Sequence, residues 1–275
     1  MKTPDEINLS VLNKALVGTR FAGKLQHFAS IDSTNTQLLA AAAEHAPEGT
    51  VYLADEQTAG RGRGGHTWHS APGDGLYLSA LVKPSLHLRD ALHLSLATGL
   101  ATAHAIRSTA AVGIDIRWPN DLLLGDKKLG GILVETAVDP GPNPLLRYAV
   151  VGIGLNVHHT DFAPELTSLA TSLALETRRP LSRGALVLAL LRALDHELTL
   201  LEDSSHSDLL ERFTAASTWV RGKRVHVPEQ GGYTGTTAGL DSRGFLVVTL
   251  DDGTQRTVLS GGVRPFDPEA TNHLN

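Results

Sequence analysis

The sequence predicts an α+β chain ending in a small β-barrel, and three observations carry this. Up to Trp219, strand-length apolar runs alternate irregularly with helix-period runs; beyond it only short strands and turns remain. At 275 residues the chain is long enough for one large domain plus a small one. A hydrophobic content of 41% against 19% charged residues is ordinary for a globular protein and excludes disorder as the reading.

Residues Asp5 to Leu16 place Ile7, Leu9, Val11, Leu12 and Leu16 among polar neighbours, the pattern of a short amphipathic helix. Lys24 to Ala29 reads as a short strand. Ser33-Thr34-Asn35-Thr36 precedes the alanine-rich run Leu38 to His45. Ser33 or Thr34 fits as its N-cap, because a side-chain oxygen there accepts from an orphan helix amide. Free amides at the same helix start also attract anions, so a second role stays open. Pro47-Glu48-Gly49 ends the helix, and Val51 to Ala54 is a strand.

That strand leads through Gln57 into Gly60-Arg61-Gly62-Arg63-Gly64-Gly65-His66-Thr67-Trp68. Four glycines free the backbone for close approach to a ligand. Two arginines at i and i+2 can point the same way from an extended chain, offering two planar forks to one polyanion. The stretch reads as a mobile loop closing over a phosphate-bearing ligand. It contains G-x-G-x-x-G formally, but Pro72, Gly73 and Gly75 follow where a dinucleotide fingerprint needs a helix, so that reading fails.

Gly75 to Val82 is predicted as a buried strand and Arg89 to Ala110 as a long helix, with His93 and His104 read as solvated or core-satisfied. Asp115 to Arg117 is a strand broken by Trp118-Pro119-Asn120-Asp121, where turn chemistry follows an extended residue. The plain account is a hairpin turn with Trp118 in the core. Gly125-Asp126-Lys127-Lys128 returns at hairpin distance, bringing Lys128 toward Asn120 and Asp121. Leu129 to Glu135 continues as a strand whose first glycines suggest a close backbone approach. Arg147 to Val157 is an apolar strand thinned by Gly152 and Gly154, with Asn156 at its end. Helical patterns cover Pro164–Glu176, Ser182–Glu202 and Asp208–Ser217. Four strands follow at 221–227, 234–241, 245–250 and 254–263, separated by turn-prone glycines.

Composition narrows the function classes. Net charge is −5, so any cationic site is local and a nucleic-acid-binding role is disfavoured. Cysteine is absent, which excludes thiolate chemistry and suits a reducing cytoplasm. No secretory signal is visible at Met1 to Ser10, and no apolar run reaches the roughly 18 residues of a membrane span. A soluble cytoplasmic protein is expected.

Taken together, Ser33-Thr34-Asn35, Gln57, Gly60 to Trp68 (GRGRGGHTW), Trp118 to Leu122 (WPNDL), Lys128 to Glu135 (KLGGILVE) and Gly154 to Val157 (GLNV) resemble a biotin protein ligase. The pieces occur in the family's order and spacing, from about Ser30 onward. The resemblance implies a mixed β-sheet with helices on one face, class II synthetase-like, then an SH3-like barrel. It divides the chain into a catalytic domain at 1–219 and a barrel at 220–268. Longer members carry an N-terminal winged-helix repressor domain with no counterpart before Phe21, so DNA regulation is not expected.

The implied reaction joins biotin to AMP at the expense of ATP, with Mg²⁺ accompanying the nucleotide, and then passes biotin to a lysine of a biotin carboxyl carrier protein. Its first step presses a carboxylate against a polyanion. Two unit charges about 4 Å apart repel by roughly 4 kcal/mol at an effective dielectric near 20. Fixed cations and amides must offset that, and an arginine–glycine loop with a lysine suits the task.

By position, the resemblance puts Ser33, Thr34, Asn35 and Gln57 around biotin and folds Gly60, Gly62 and their neighbours over the intermediate. Arg61 meets the phosphate end, Arg63 holds the loop closed, and Trp68 meets adenine. Lys128 stabilises developing charge, Asn120, Asp121 and Gly130 line the site, Asp121 orients the incoming lysine, and Asn156 lies near the nucleotide. Catalytic roles fall on Lys128, Arg63 and Asp121, no protein-bound metal is expected, and a homodimer stays open. Arg117 stands where lysine is common, replacing a point donor with a fork. Gly64, His66 and Thr67 replace further basic residues, so the loop is less cationic and His66 is expected to make its grip pH-dependent. The rival readings are a lipoate–protein ligase of the same architecture, a nucleic-acid-binding module using Arg221, Lys223 and Arg224, and a zinc protein using His66, His69, His158 and His159.

Overall fold

Strand pairing far apart in sequence creates the frame of the computed structural model, which describes residues 7–179, 181–203, 206–229 and 231–266. Seven strands form the larger sheet: β1 (Leu25–Phe28), β2 (Val51–Ala54), β3 (Gly75–Val82), β4 (Asp115–Arg117), β5 (Asp121–Leu124), β6 (Lys127–Val138) and β7 (Leu146–Asn156). Their spatial order is β1-β2-β3-β7-β6-β5-β4. Only β1 and β2 run parallel, joined by helix α2 (Thr34–Ala43). The long β3–β7 and β6–β7 ladders form the centre, pairing Gly75 with Asn156 and Gly131 with Gly154.

Alternation along β3 sends its side chains to two helical layers. Leu76, Leu78, Ala80 and Val82 join the main core with helix α3 (Leu92–Ala110), helix α5 (Arg183–Asp203) and helix α6 (His206–Ala216). Leu81 instead packs with Leu38 and Ala42 of α2 and with Val150. Helices therefore cover both faces, which corrects the expectation of one: α2 stands alone on the face opposite the larger bundle. Its start is fixed by Ser33, whose hydroxyl oxygen accepts from the Thr36 amide. Removing such a cap typically costs about 0.5–2 kcal/mol. A short helix, α1 (Leu9–Ala15), precedes the sheet; the first residues of its predicted span, Asp5 and Glu6, lie outside the described residues.

Two predicted elements fail, each for a tertiary reason. Pro164–Glu176 is a 3-10 turn at Pro164–Leu166 and a short helix, α4 (Leu173–Thr177), separated by an extended piece. That piece pairs with the edge of β6: the Lys128 amide donates to the Leu169 carbonyl at 2.7 Å, and the Thr171 amide to the Lys128 carbonyl at 3.0 Å. The helical period was outweighed by this ladder, and the outcome pins the backbone of Lys128. Thr254–Val263 is not one strand either. The strand ends early as β11 (Gln255–Val258), because Gly261 turns with a φ of +71°, and a separate strand, β12 (Arg264–Pro265), begins just past the predicted end.

With β8 (Arg221–Val227), β9 (Tyr233–Leu240) and β10 (Leu246–Thr249), these make an antiparallel sheet in the order β11-β10-β9-β8-β12, the SH3-like part of the chain. The predicted domain end at residues 267 and 268 lies outside the described residues. Trp118 is 2% exposed, and its indole Nε1 donates to the Gly244 carbonyl at 2.9 Å. The predicted core tryptophan thus also joins the two sheets. His93 is neither solvated nor satisfied, contrary to expectation: it is fully buried with no hydrogen-bond partner on either nitrogen. Burial, and next the neighbouring His206, push it down to about 4. No helix among the described residues is long and apolar enough to cross a membrane.

Candidate active site

A cleft opens on the α2 face of the large sheet. Glycines make its floor. A Cβ on Gly152 would collide with the Asn35 side chain, and one on Gly154 would lie 2.7 Å from Trp68 Cε2. Both β7 glycines are therefore required by what lies above them.

One end of the cleft is lined by neutral donors and acceptors. The Thr34 amide and hydroxyl both donate to Gln57 Oε1, at 2.9 and 3.0 Å, while Gln57 Nε2 donates to Ser70 Oγ at 3.0 Å. Ser79, absent from the predicted set, sits between Thr34 Oγ1 and Asn35 Oδ1 at 2.7 and 2.5 Å. These side chains are buried, or half-buried in the case of Gln57, and mutually bonded, so their positions are set before any ligand arrives.

The other end is cationic. The glycine–arginine loop folds back on itself: the Gly62 amide donates to the His66 carbonyl, and the Trp68 amide to the Gly60 carbonyl. Arg61 grips Glu135 with both forks, at 2.8 and 3.2 Å, and Asn35 Nδ2 shares that carboxylate at 3.0 Å. Arg63 Nη1 donates to Asn120 Oδ1 at 3.1 Å and to the Gly261 carbonyl at 2.9 Å. Burial pushes Arg63 below the ordinary guanidinium value, against the pull of Asp121 and Glu229. Asn120 is itself held by Nδ2 donating to the Ile132 carbonyl at 2.9 Å.

Lys128 Nζ lies 2.6 Å from Asp121 Oδ1, and Arg117 Nη2 lies 2.6 Å from Asp121 Oδ2. Burial disfavours the Asp121 carboxylate, yet Lys128 and Arg117 outweigh it and hold its pKa below the usual range. The same ammonium lies 5.7 Å from the Trp68 ring centroid. The Trp68 indole Nε1 is buried without a partner, leaving a donor available in the cleft.

The cleft brings together Ser33, Thr34, Asn35, Gln57, Arg61, Gly62, Arg63, Trp68, Asn120 and Lys128. Four residues of the predicted set lie outside its lining. Asp121 stands behind Lys128 with both oxygens engaged. Gly60 packs under Trp68 and Ser70, and Gly130 faces Leu155 on the other side of the sheet. Asn156 is buried at the end of β7, where its Nδ2 donates to the Thr171 carbonyl at 3.0 Å. Gly131 and Glu135 are the notable omissions from the sequence reading. The period of two along β6 would have placed Gly131, Leu133 and Glu135 on one face.

The glycine floor has a testable consequence. Gly154→Ala is expected to displace the Trp68 indole, shift its fluorescence emission, and weaken nucleotide binding about ten-fold or more, equivalent to roughly 1.4 kcal/mol. Unchanged affinity in a direct titration of a correctly folded variant would remove Trp68 from the nucleotide's surroundings.

Comparison with known proteins agrees with this arrangement. Residues 27–156 match the biotin/lipoate A/B protein ligase family, and residues 221–263 match the biotin protein ligase C-terminal domain. The chain is 34% identical to the biotin–[acetyl-CoA-carboxylase] ligase of Mycobacterium tuberculosis over 87% of each chain. It is 31% identical to the bifunctional ligase/repressor BirA of Escherichia coli, covering 90% of this chain and 76% of that one. Among solved structures, the biotin protein ligase of Aquifex aeolicus in complex with biotin and ATP superposes with a TM-score of 0.73 at 28% identity, over 88% of this chain and 98% of that one. These matches define an enzyme that is a ligase. The chain belongs to the biotin protein ligase family.

Proposed function

We propose that the cleft binds biotin at its neutral end and MgATP at its cationic end, forms biotinyl-AMP, and transfers biotin to a lysine of a biotin carboxyl carrier protein. The observation that carries this is the cleft's polarity. Prearranged hydroxyl and amide groups at Thr34, Asn35 and Gln57 suit an uncharged polar head, while Arg61, Arg63 and Lys128 suit an anion.

In the first step a biotin carboxylate oxygen attacks the α-phosphorus of ATP and pyrophosphate leaves. Lys128, with its ammonium fixed by Asp121, faces the charge that develops there. Magnesium enters with the nucleotide as part of that substrate. In the second step the acceptor amine attacks the carbonyl of the mixed anhydride and AMP leaves. Asp121 acts in this scheme by positioning Lys128, since both its oxygens are already committed. Arg61 must exchange Glu135 for the ligand, so the loop's grip on phosphate competes with a bidentate pair inside the apoprotein.

We also propose that residues 1–219 form the catalytic unit and 220–268 a C-terminal unit whose Gly261 carbonyl braces Arg63. The lipoate alternative is separated by the same experiment as the main reading. Isothermal calorimetry is expected to show binding of biotin, and further binding of ATP once biotin and Mg²⁺ are present, with no response to lipoate. Absence of biotin binding would overturn the assignment.

A further inference from the structure

A second constellation lies on the opposite side of the large sheet from the cleft, against the start of α3. Asp90 closes the 3-10 turn Leu88–Asp90, His93 lies in the first turn of α3, and His206 opens α6. Each offers one ligand atom, and the three atoms lie within 4.8 Å of one another. The two imidazole rings meet at a centroid distance of 4.4 Å, tilted by 57°.

The independent observation is His93 itself. It is fully buried with both ring nitrogens unpartnered, although a buried unsatisfied polar group typically costs about 1–3 kcal/mol. A leucine or phenylalanine would fill such a core position without that penalty. Orphaned nitrogens at the meeting point of a second imidazole and a carboxylate call for a ligand that accepts all three. We propose that Asp90, His93 and His206 form a structural site for a divalent transition-metal cation of the zinc class, fastening the start of α6 to the start of α3.

Donor chemistry selects that class. Imidazole nitrogens suit zinc, cobalt or nickel rather than magnesium or calcium, and one carboxylate offsets half of the ion's charge. Tetrahedral zinc at about 2.0–2.2 Å from its ligands sets neighbouring donors about 3.3–3.6 Å apart. Reaching that range from the present 4.8 Å spread requires Asp90 and His206, which are only partly buried, to move toward a fixed His93. A water completes the fourth position on the partly exposed side. The competing partner of Asp90 is Arg89, at 3.6 Å and largely exposed.

The neighbourhood gives the ion a structural task. A Cβ on Gly244 would lie 3.4 Å from His93 Cδ2, so the β9–β10 turn sits directly over this imidazole. The Gly244 carbonyl receives the Trp118 indole. An ion here would stiffen the platform on which the C-terminal sheet rests. The four histidines considered from sequence, His66, His69, His158 and His159, form no such group among the described residues. None of this depends on the ligase reading.

The test uses the full chain after chelator treatment, titrated with Co²⁺, followed by its visible ligand-field absorption, and then challenged with Zn²⁺. Saturation at one equivalent is expected, with displacement by Zn²⁺ and a rise in Tm. His206→Ala and Asp90→Asn, both at partly exposed positions, are each expected to weaken binding about 10–100-fold with unchanged circular dichroism. His66→Ala should bind as wild type. Absence of a saturable band, or His206→Ala and Asp90→Asn binding as tightly as wild type, would overturn the site.

Discussion

Lys128→Ala is expected to lower the rate of biotin-dependent pyrophosphate release by about 10²–10³, the usual consequence of removing one fixed donor from a developing negative charge. The expectation follows from how the ammonium is held. Its Nζ sits 2.6 Å from Asp121 Oδ1, and its backbone is clamped on both sides by Leu169 and Thr171. Little reorganisation is needed when charge appears, and this is where preorganised electrostatics gains over water. Asp121 would lose the larger of the two cationic influences that oppose its burial and keep Arg117. Lys128→Arg should recover only part of the rate, since a planar fork does not reproduce a point donor. Measured under saturating biotin and MgATP, a wild-type rate in Lys128→Ala would take this lysine out of the reaction.

The second large effect concerns fidelity rather than rate. Arg63→Ala is expected to release biotinyl-AMP and to label lysines on bystander proteins. Arg63 spans the cleft from the loop to Asn120 and on to the Gly261 carbonyl, donating to both from one nitrogen. Hydrogen bonds from a charged donor contribute about 1.5–3 kcal/mol each, and partial retention of that sum in the closed state corresponds to roughly 10–150-fold in intermediate lifetime. A streptavidin blot of an unrelated lysine-rich protein incubated with the variant reads the outcome. Labelling confined to the carrier domain would show that another group closes the loop. Asn120→Ala should give a weaker version, because the bond to the Gly261 carbonyl survives it.

Local chemistry made much of this legible in the chain. The strands at 51–54 and 75–82 were bounded by turn residues and unambiguous in pattern, and both stand where the sequence placed them. The start of α2 followed from Ser33, because capping is a bond between residues three apart. Non-local partners were not legible. The helical period at 164–176 yielded to pairing with Lys128, which no window of sequence contains. Glu135, which pairs with Arg61, lies 74 residues away, and the two partners of Arg63 lie 57 and 198 residues away. None of these distances is encoded in spacing. Likewise Asp121 and Asn156 stand in recognisable motifs, yet the fold places both outside the lining of the cleft. His93 resembled any other histidine of an amphipathic helix until α6 and the β9–β10 turn were laid over it.

The break between β11 and β12 turns one hydrogen bond into a lever. Because Gly261 reverses the chain there, a main-chain carbonyl of the C-terminal sheet meets Arg63. Thermodynamic reciprocity then applies: whatever free energy the C-terminal unit contributes to holding the loop shut, a bound intermediate must return to the C-terminal unit. Tighter docking of the small sheet is therefore the expected counterpart of an occupied cleft.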